Sequence, residues 1–230
     1  MNDLRAIIFD FDGVIADTEP LHYAALREVL LAEFGIALTM TEYYADYLGY
    51  DDRGCFTAAL TAHQRPFTPH LIDELVRKKG LAYLAALRTD LKFFPGVGNL
   101  IQETARNYRL AIASGALRHE IELILEQGGL RKAFSHITTA EDVSQGKPSP
   151  EPFLRAMAGL NALTPLPPLR PADCLVIEDS LPGIRGARAA GMKVLAVANT
   201  HTMQDLHEAD VVVSSLEQVS ISALASELWT

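Results

Sequence analysis

Two aspartates, Asp10 and Asp12, stand at the end of the apolar run Ala6-Ile7-Ile8-Phe9, with Gly13 directly behind them. Such a run suits a parallel strand buried on both faces, and glycine lets the backbone leave it sharply. Carboxylates in that position are costly unless they bind metal or do chemistry. A second acidic pair, Glu178 and Asp179, follows Leu175-Val176-Ile177 in the same manner. This second pair calls for a cation, and Mg2+ suits it, being held by one or two carboxylates together with waters and substrate phosphate. The run Leu110-Ala111-Ile112-Ala113 ends in Ser114 and Gly115, where a hydroxyl and open backbone N–H groups can receive an anion. Lys147 lies in Gly146-Lys147-Pro148-Ser149-Pro150, a proline-braced loop that has little freedom to lose when the ammonium pairs with charge. Each feature also has an ordinary reading. Asp10 and Asp12 could form an Asp-rich turn, Ser114 could cap a helix, and Lys147 could be a solvated surface lysine. Glu178 and Asp179 could cap the helix starting near Pro182, which is compatible with a metal role.

The elements that must position these residues follow from periodicity. Strand-like apolar runs occur at 6–9, 110–113, 137–139, 175–177, 194–197 and 211–213, and helix-like stretches at 121–127 and 184–190 end in Gly128 and Gly191. Alternating strands and helices predict an α/β protein with a parallel sheet covered on both faces. The first gap, residues 11–109, is far longer than a crossover of a dozen or so residues requires. Leu26, Val29, Leu30 and Phe34, then Leu71, Ile72, Leu75 and Val76, and later Leu81, Leu84 and Leu87 recur there at helical spacing, predicting an inserted helical domain over about 20–89. The core is then 1–19 and 90–230, re-entered through Phe93-Phe94-Pro95-Gly96. The segment 164–171 reads as a stiff, proline-rich connector.

The stretch Asp10-Phe11-Asp12-Gly13-Val14-Ile15-Ala16-Asp17-Thr18 resembles the signature of the haloacid dehalogenase-like superfamily, in its beta-phosphoglucomutase/CbbY-like branch of Mg2+-dependent phosphatases and phosphomutases. The resemblance implies a Rossmann-like core with an inserted helical cap. It makes Asp10 the nucleophile that forms an aspartyl-phosphate and Asp12 the general acid and base. Ser114 and Gly115 would hold phosphate oxygens, and Lys147 would neutralise both Asp10 and the phosphate. Mg2+ would be bound by Asp10, Asp179 and the Asp12 carbonyl, with Glu178 either a further ligand or an orienting group. The dehalogenases and phosphonate-cleaving relatives lack an aspartate at the Asp12 position, so its presence points to phosphate esters. Ala116 departs from the Ser or Asn common in relatives. His22 matches a histidine near the cap hinge, and Arg53, in the loop 48–54, is the candidate to grip a second phosphate. However, the Gly49 to Arg53 spacing is one residue longer than in the mutase pattern, and Asp51 and Asp52 would repel such a phosphate.

Composition narrows the classes further. The chain of 230 residues is 49% hydrophobic and 21% charged, enough for a full core, and its formal charge of -9 opposes a nucleic-acid surface. No window provides the roughly 20 apolar residues of a membrane helix. Two cysteines, Cys55 and Cys174, lie far apart, which suggests reduced thiols in a cytoplasmic, soluble protein. Gly96-Val97-Gly98 lacks the third glycine of a dinucleotide fingerprint, and Lys147 is followed by proline rather than the Ser or Thr of a P-loop. The expected activity is hydrolysis of a small phosphorylated metabolite, a sugar phosphate, with Mg2+. Phosphomutase activity is the alternative, followed by a non-catalytic binding or regulatory role, and dehalogenation is disfavoured by Asp12. The sequence sets no oligomeric state.

Overall fold

A computed structural model describes residues 3–48, 50–163 and 167–229. Gly49, in the loop that carries Arg53, and residues 164–166 of the proline-rich connector lie outside the described residues. The chain divides into two compact units, one of residues up to Asp17 together with Lys92 onward, the other Thr18–Leu91.

The first unit is α/β. Its strands are β1 (Ala6–Phe9), β2 (Arg109–Ala113), β3 (His136–Thr138), β4 (Cys174–Glu178), β5 (Lys193–Val197) and β6 (Val211–Val213). They form one parallel sheet in the order β3-β2-β1-β4-β5-β6. All four residues of β1 are buried, as expected for a strand with neighbours on both edges and packing on both faces. One face is built from Ala6, Ile8, Ala111, Val176 and Val194. Against these pack Phe153 of α7 (Glu151–Ala162) and Ile184 of α8 (Leu181–Ala189). The remaining helices of this unit are α5 (Val97–Thr104), α6 (Arg118–Gln127) and α9 (Ile221–Leu228).

From β1 the chain adds β2 and β3 on one side and then crosses to β4 on the other, so the topological switch lies at β1, where open α/β sheets form a crevice. The register pairs Phe9 with both Ile112 and Ile177. Asp10, Ser114, Glu178 and Asp179 therefore emerge at the carboxyl ends of three adjacent strands.

The second unit is helical: α1 (Glu19–Phe34), the short α2 (Met40–Glu42) running into a π-helical turn at Tyr43–Tyr47, α3 (Asp52–Ala62) and α4 (Pro69–Asp90). Its core joins Leu26, Val29 and Leu30 of α1 with Phe56 and Leu60 of α3 and Ile72 and Leu75 of α4. Gly35 ends α1 in the left-handed conformation at φ +67°, the stop that glycine supplies without a Cβ penalty. Along α4 the buried positions are Ile72, Leu75, Lys79, Tyr83 and Leu87, whereas Leu81 is 60% exposed. The apolar leucines alone mislead here because a lysine occupies the inward face. Among the described residues no helix is long and apolar enough to cross a membrane. Cys55 and Cys174 are buried and free, and burial pushes their thiols up to about 11 and about 12.

Candidate active site

The site starts at the end of β1. The Asp10 N–H donates to the Ile177 carbonyl at 2.9 Å, continuing the pairing with β4 one residue beyond the strand. Gly13 then turns the chain at φ +80°, a region that L side chains rarely enter. A Cβ there would lie 2.0 Å from Asp179 Oδ2, so both conformation and space demand glycine. Asp12 is partly buried on this turn.

Glu178 closes β4 and is fully buried, but none of its charge is left unserved. Its Oε2 accepts the Asp179 N–H, the Ser180 N–H and the Ser180 hydroxyl, all at 2.9 Å, and its Oε1 accepts Lys147 Nζ at 2.6 Å. The first turn of α8 wraps tightly round it, since a Cβ on Gly183 would sit 1.8 Å from Glu178 Oε1. Lys147 Nζ also donates to Asp10 Oδ1 at 2.5 Å, bridging the nucleophile candidate and Glu178. The loop delivering Lys147 is anchored from behind by Glu151, whose carboxylate accepts the Ser144 N–H and hydroxyl and the Gln145 N–H. Ser114 is buried at the end of β2, its N–H donating to the Thr138 carbonyl at 3.0 Å and its Oγ accepting the Ala116 N–H at 2.9 Å. Ser114, Gly115 and Lys147 line one cavity of about 460 Å3, with Val143, Ser144 and Pro152 on its other walls.

Three buried carboxylates, Asp10, Glu178 and Asp179, offer oxygens within 4.8 Å of one another. One ammonium cannot neutralise them. Burial raises Asp10 well above the usual carboxylate range; Lys147 opposes this, and Glu178 and Asp179 add to it. Asp179 is pushed up to about 6, chiefly by burial and then by Glu178. Burial alone would lower Lys147, but Asp10 and Glu178 override it and keep the ammonium charged. An all-oxygen donor set with surplus negative charge fits a hard divalent cation such as Mg2+. Asp10 and Asp179 hold protons more tightly folded than unfolded, so the metal-free protein loses stability as pH rises through the ordinary carboxylate range to about 6. A divalent cation such as Mg2+ would bind the ionised form. The gain in melting temperature on adding Mg2+ should therefore be larger at about pH 7.5 than at about pH 5. Equal gains at both would contradict the assignment.

Of the residues singled out by sequence, Asp10, Lys147, Glu178 and Asp179 meet directly, and Ser114 and Gly115 share Lys147's cavity. His22 and Arg53 belong to the helical unit. Arg53 pairs with Asp73 on the surface, both side chains more than half exposed. His22 stacks on Tyr83 with ring centroids 4.1 Å apart, and its Nδ1 lies 2.6 Å from Lys79 Nζ. Burial and the Lys79 charge push the imidazole down to about 3, so Nδ1 is the acceptor of a neutral ring. Lys79, 3% exposed, also donates to Asp52 at 2.5 Å. Sequence reasoning passed over Lys79, although its place between Leu75 and Tyr83 on the inward face of α4 marks it. It also passed over Asn199 and Thr200, which follow the end of β5 as Ser114 follows β2 and reach Gly13 and Asp179.

The model of the family described as haloacid dehalogenase-like hydrolase matches residues 7–197. The chain is 30% identical over 235 residues to the protein CbbY of Rhodobacter capsulatus, covering 96% of this chain and 98% of that protein. It is 31% identical over 191 residues to the fructose-1-phosphate phosphatase YqaB of Escherichia coli, covering 83% of this chain and 95% of that one. The crystal structure of CbbY from Rhodobacter sphaeroides in complex with phosphate superposes with a TM-score of 0.80 at 26% identity, over 96% of this chain and 99% of that chain.

Proposed function

This chain belongs to the haloacid dehalogenase-like hydrolase family, and we propose that it is a Mg2+-dependent phosphatase that hydrolyses a small sugar phosphate through a phosphoenzyme on Asp10. The observation that carries this reading is Lys147, which bridges Asp10 and Glu178 beside Asp179. With Oδ1 of Asp10 bonded to Lys147, Oδ2 is the atom to attack phosphorus in line with the leaving oxygen. A carboxylate nucleophile divides hydrolysis into formation and breakdown of an acyl phosphate. Asp12, two residues on, protonates the departing sugar oxygen and then takes a proton from the attacking water. Ser114 Oγ accepts the Ala116 N–H, so its own hydrogen is available to a phosphoryl oxygen, and Lys147 offsets the charge of nucleophile and phosphate together. Asp10, Asp179 and the Asp12 carbonyl would hold Mg2+, which supplies charge neutralisation at the phosphoryl oxygens; Glu178, with both oxygens engaged, serves as the orienting group for Lys147. Positioning and electrostatics of this kind meet most of what phosphoryl transfer asks of a protein.

Asp12→Asn should slow phosphate release by roughly 10^2- to 10^4-fold, the range of general acid–base catalysis, without weakening Mg2+ binding. Stopped-assay phosphate release and a metal titration on one preparation check both halves.

The Escherichia coli relative is a fructose-1-phosphate phosphatase, and the sugar-phosphate reading extends that activity to this chain. We assign substrate choice to the helical unit. There Arg53 already has an acidic partner in Asp73, and Asp51 and Asp52 precede it, which favours a substrate with one phosphate over a bisphosphate. The deciding experiment is a phosphate-release screen over sugar monophosphates with and without Mg2+. Turnover that vanishes on chelation supports the hydrolase. Isomerised product formed faster than free phosphate, with a need for bisphosphate priming, would make it a mutase. Metal and ligand binding without turnover across the panel would make it a binding protein.

A further inference from the structure

The turn after β5 touches two of the segments that form the acidic cluster. Ala198 N–H donates to the Val213 carbonyl at 2.9 Å, the last rung toward β6, and the chain then bends back over the strand ends. Asn199 Nδ2 donates to the Gly13 carbonyl at 2.7 Å, on the turn behind Asp10 and Asp12. Thr200 Oγ1 donates to Asp179 Oδ2. His201 Nδ1 lies 2.9 Å from Thr200 Oγ1 and 3.1 Å from the Asp179 carbonyl. The hydroxyl has a single hydrogen, which the carboxylate takes, so Thr200 Oγ1 can only accept from His201. The Asp179 carbonyl can also only accept. His201 Nδ1 therefore carries a hydrogen, and a directed chain runs from the imidazole through the hydroxyl to the carboxylate.

This chain fixes the rotation of the Asp179 side chain. Oδ2 is held between Thr200 and Gly13, the latter so close that no Cβ fits. Among the described residues, Oδ1 is the Asp179 oxygen left for another ligand. Hydrogen bonds of this sort to a ligating carboxylate set its orientation, and their loss commonly costs 10- to 100-fold in metal affinity or activity.

We infer that Asn199 and Thr200 are positioning residues for divalent-cation binding: together they clip the Gly13 turn to Asp179 and present the free Asp179 oxygen to the ion. The inference rests on the Mg2+ site proposed above, but its test does not require turnover. Mg2+ alone is titrated calorimetrically into the full chain, without substrate, for the wild type, Thr200→Val and Thr200→Ser. Valine keeps the shape and removes the hydroxyl, while serine restores it. Thr200→Val should bind Mg2+ about tenfold more weakly, and Thr200→Ser should return to within about twofold of wild type. The melting temperature without metal checks that each variant folds, and Thr200→Ala takes the place of the valine variant if that one does not. Equal affinity in Thr200→Val and wild type overturns the clip, as does equal weakening by valine and serine, which would place the effect outside the hydroxyl. The two proposals fail separately. Wild type that releases phosphate while Thr200→Val binds Mg2+ normally sinks the clip alone. Mg2+ binding that depends on Thr200, without phosphate release from any ester, sinks the phosphatase and leaves the clip standing. No Mg2+ binding by wild type overturns both.

Discussion

Asp10→Asn should remove phosphate release by roughly 10^4-fold or more, the scale on which loss of a nucleophile is felt, while the protein stays folded. The amide is nearly isosteric with the carboxylate but has no lone pair of comparable nucleophilicity, so no acyl phosphate can form. Stability should not fall with activity. Asp10 is one of three buried carboxylates clustered about one ammonium, and its carboxyl is raised by burial and by its acidic neighbours despite Lys147. Replacing it with a neutral group relieves that repulsion, so the metal-free melting temperature should hold steady or rise. Phosphate release and melting curves on one preparation test both parts, with mass spectrometry to exclude reversion by deamidation. An Asp10→Asn enzyme retaining a tenth of wild-type turnover would end the mechanism.

Lys147→Ala should instead damage activity and stability together. The side chain is largely buried and holds Asp10 and Glu178 in the same ammonium. Removing one partner of a buried ion pair costs about 3–5 kcal/mol, because the remaining charges have no compensation. Protonation of Asp10, whose carboxyl burial already raises, softens that loss at low pH, so the destabilisation should be larger at about pH 8 than at about pH 5, and Mg2+ should recover part of it. Activity should fall about 10^2- to 10^3-fold even where the variant is folded, as when one preorganised donor is taken from developing charge. Denaturant titrations at both pH values decide the stability claim. A loss independent of pH would mean that the contact of the ammonium with the Phe153 ring, 5.2 Å to the centroid, and the volume lost with the side chain outweigh its pairing with the carboxylates.

How much of this was legible in the sequence depends on whether the information was local. Apolar runs ending in Asp10, Ser114 and Glu178 mark the three strand ends, because a strand buried on both faces leaves no choice of residue type until it reaches the rim. The Lys147 loop was readable from its prolines. Lys79 was hidden because a lysine on a helix is ordinarily solvated, and only the phase set by Ile72, Leu75, Tyr83 and Leu87 shows it facing inward. Thr200 was hidden for another reason. Its partner, Asp179, lies across a strand connection, and nothing near residue 200 announces that its hydroxyl reaches a carboxylate. Arg53 illustrates the reverse case: a loop resemblance drew attention to it, yet it is an exposed arginine paired with a neighbouring helix, an interaction worth about 0–1 kcal/mol.

The sheet order has a consequence for how the chain is made. β1 leaves the ribosome before the other strands, yet its residue Ala6 pairs with Cys174 of β4, so one edge of this inner strand stays unpaired until β4 has been synthesised. Asp10 waits equally long for Glu178 and Asp179. Pairings this remote in sequence close slowly and leave apolar strand edges open in the interval. A nascent chain stalled before β4 thus carries Asp10 without the other two carboxylates of its cluster and an edge ready to join another chain. Completion of the acidic cluster and safety from aggregation arrive together, with the same late strand.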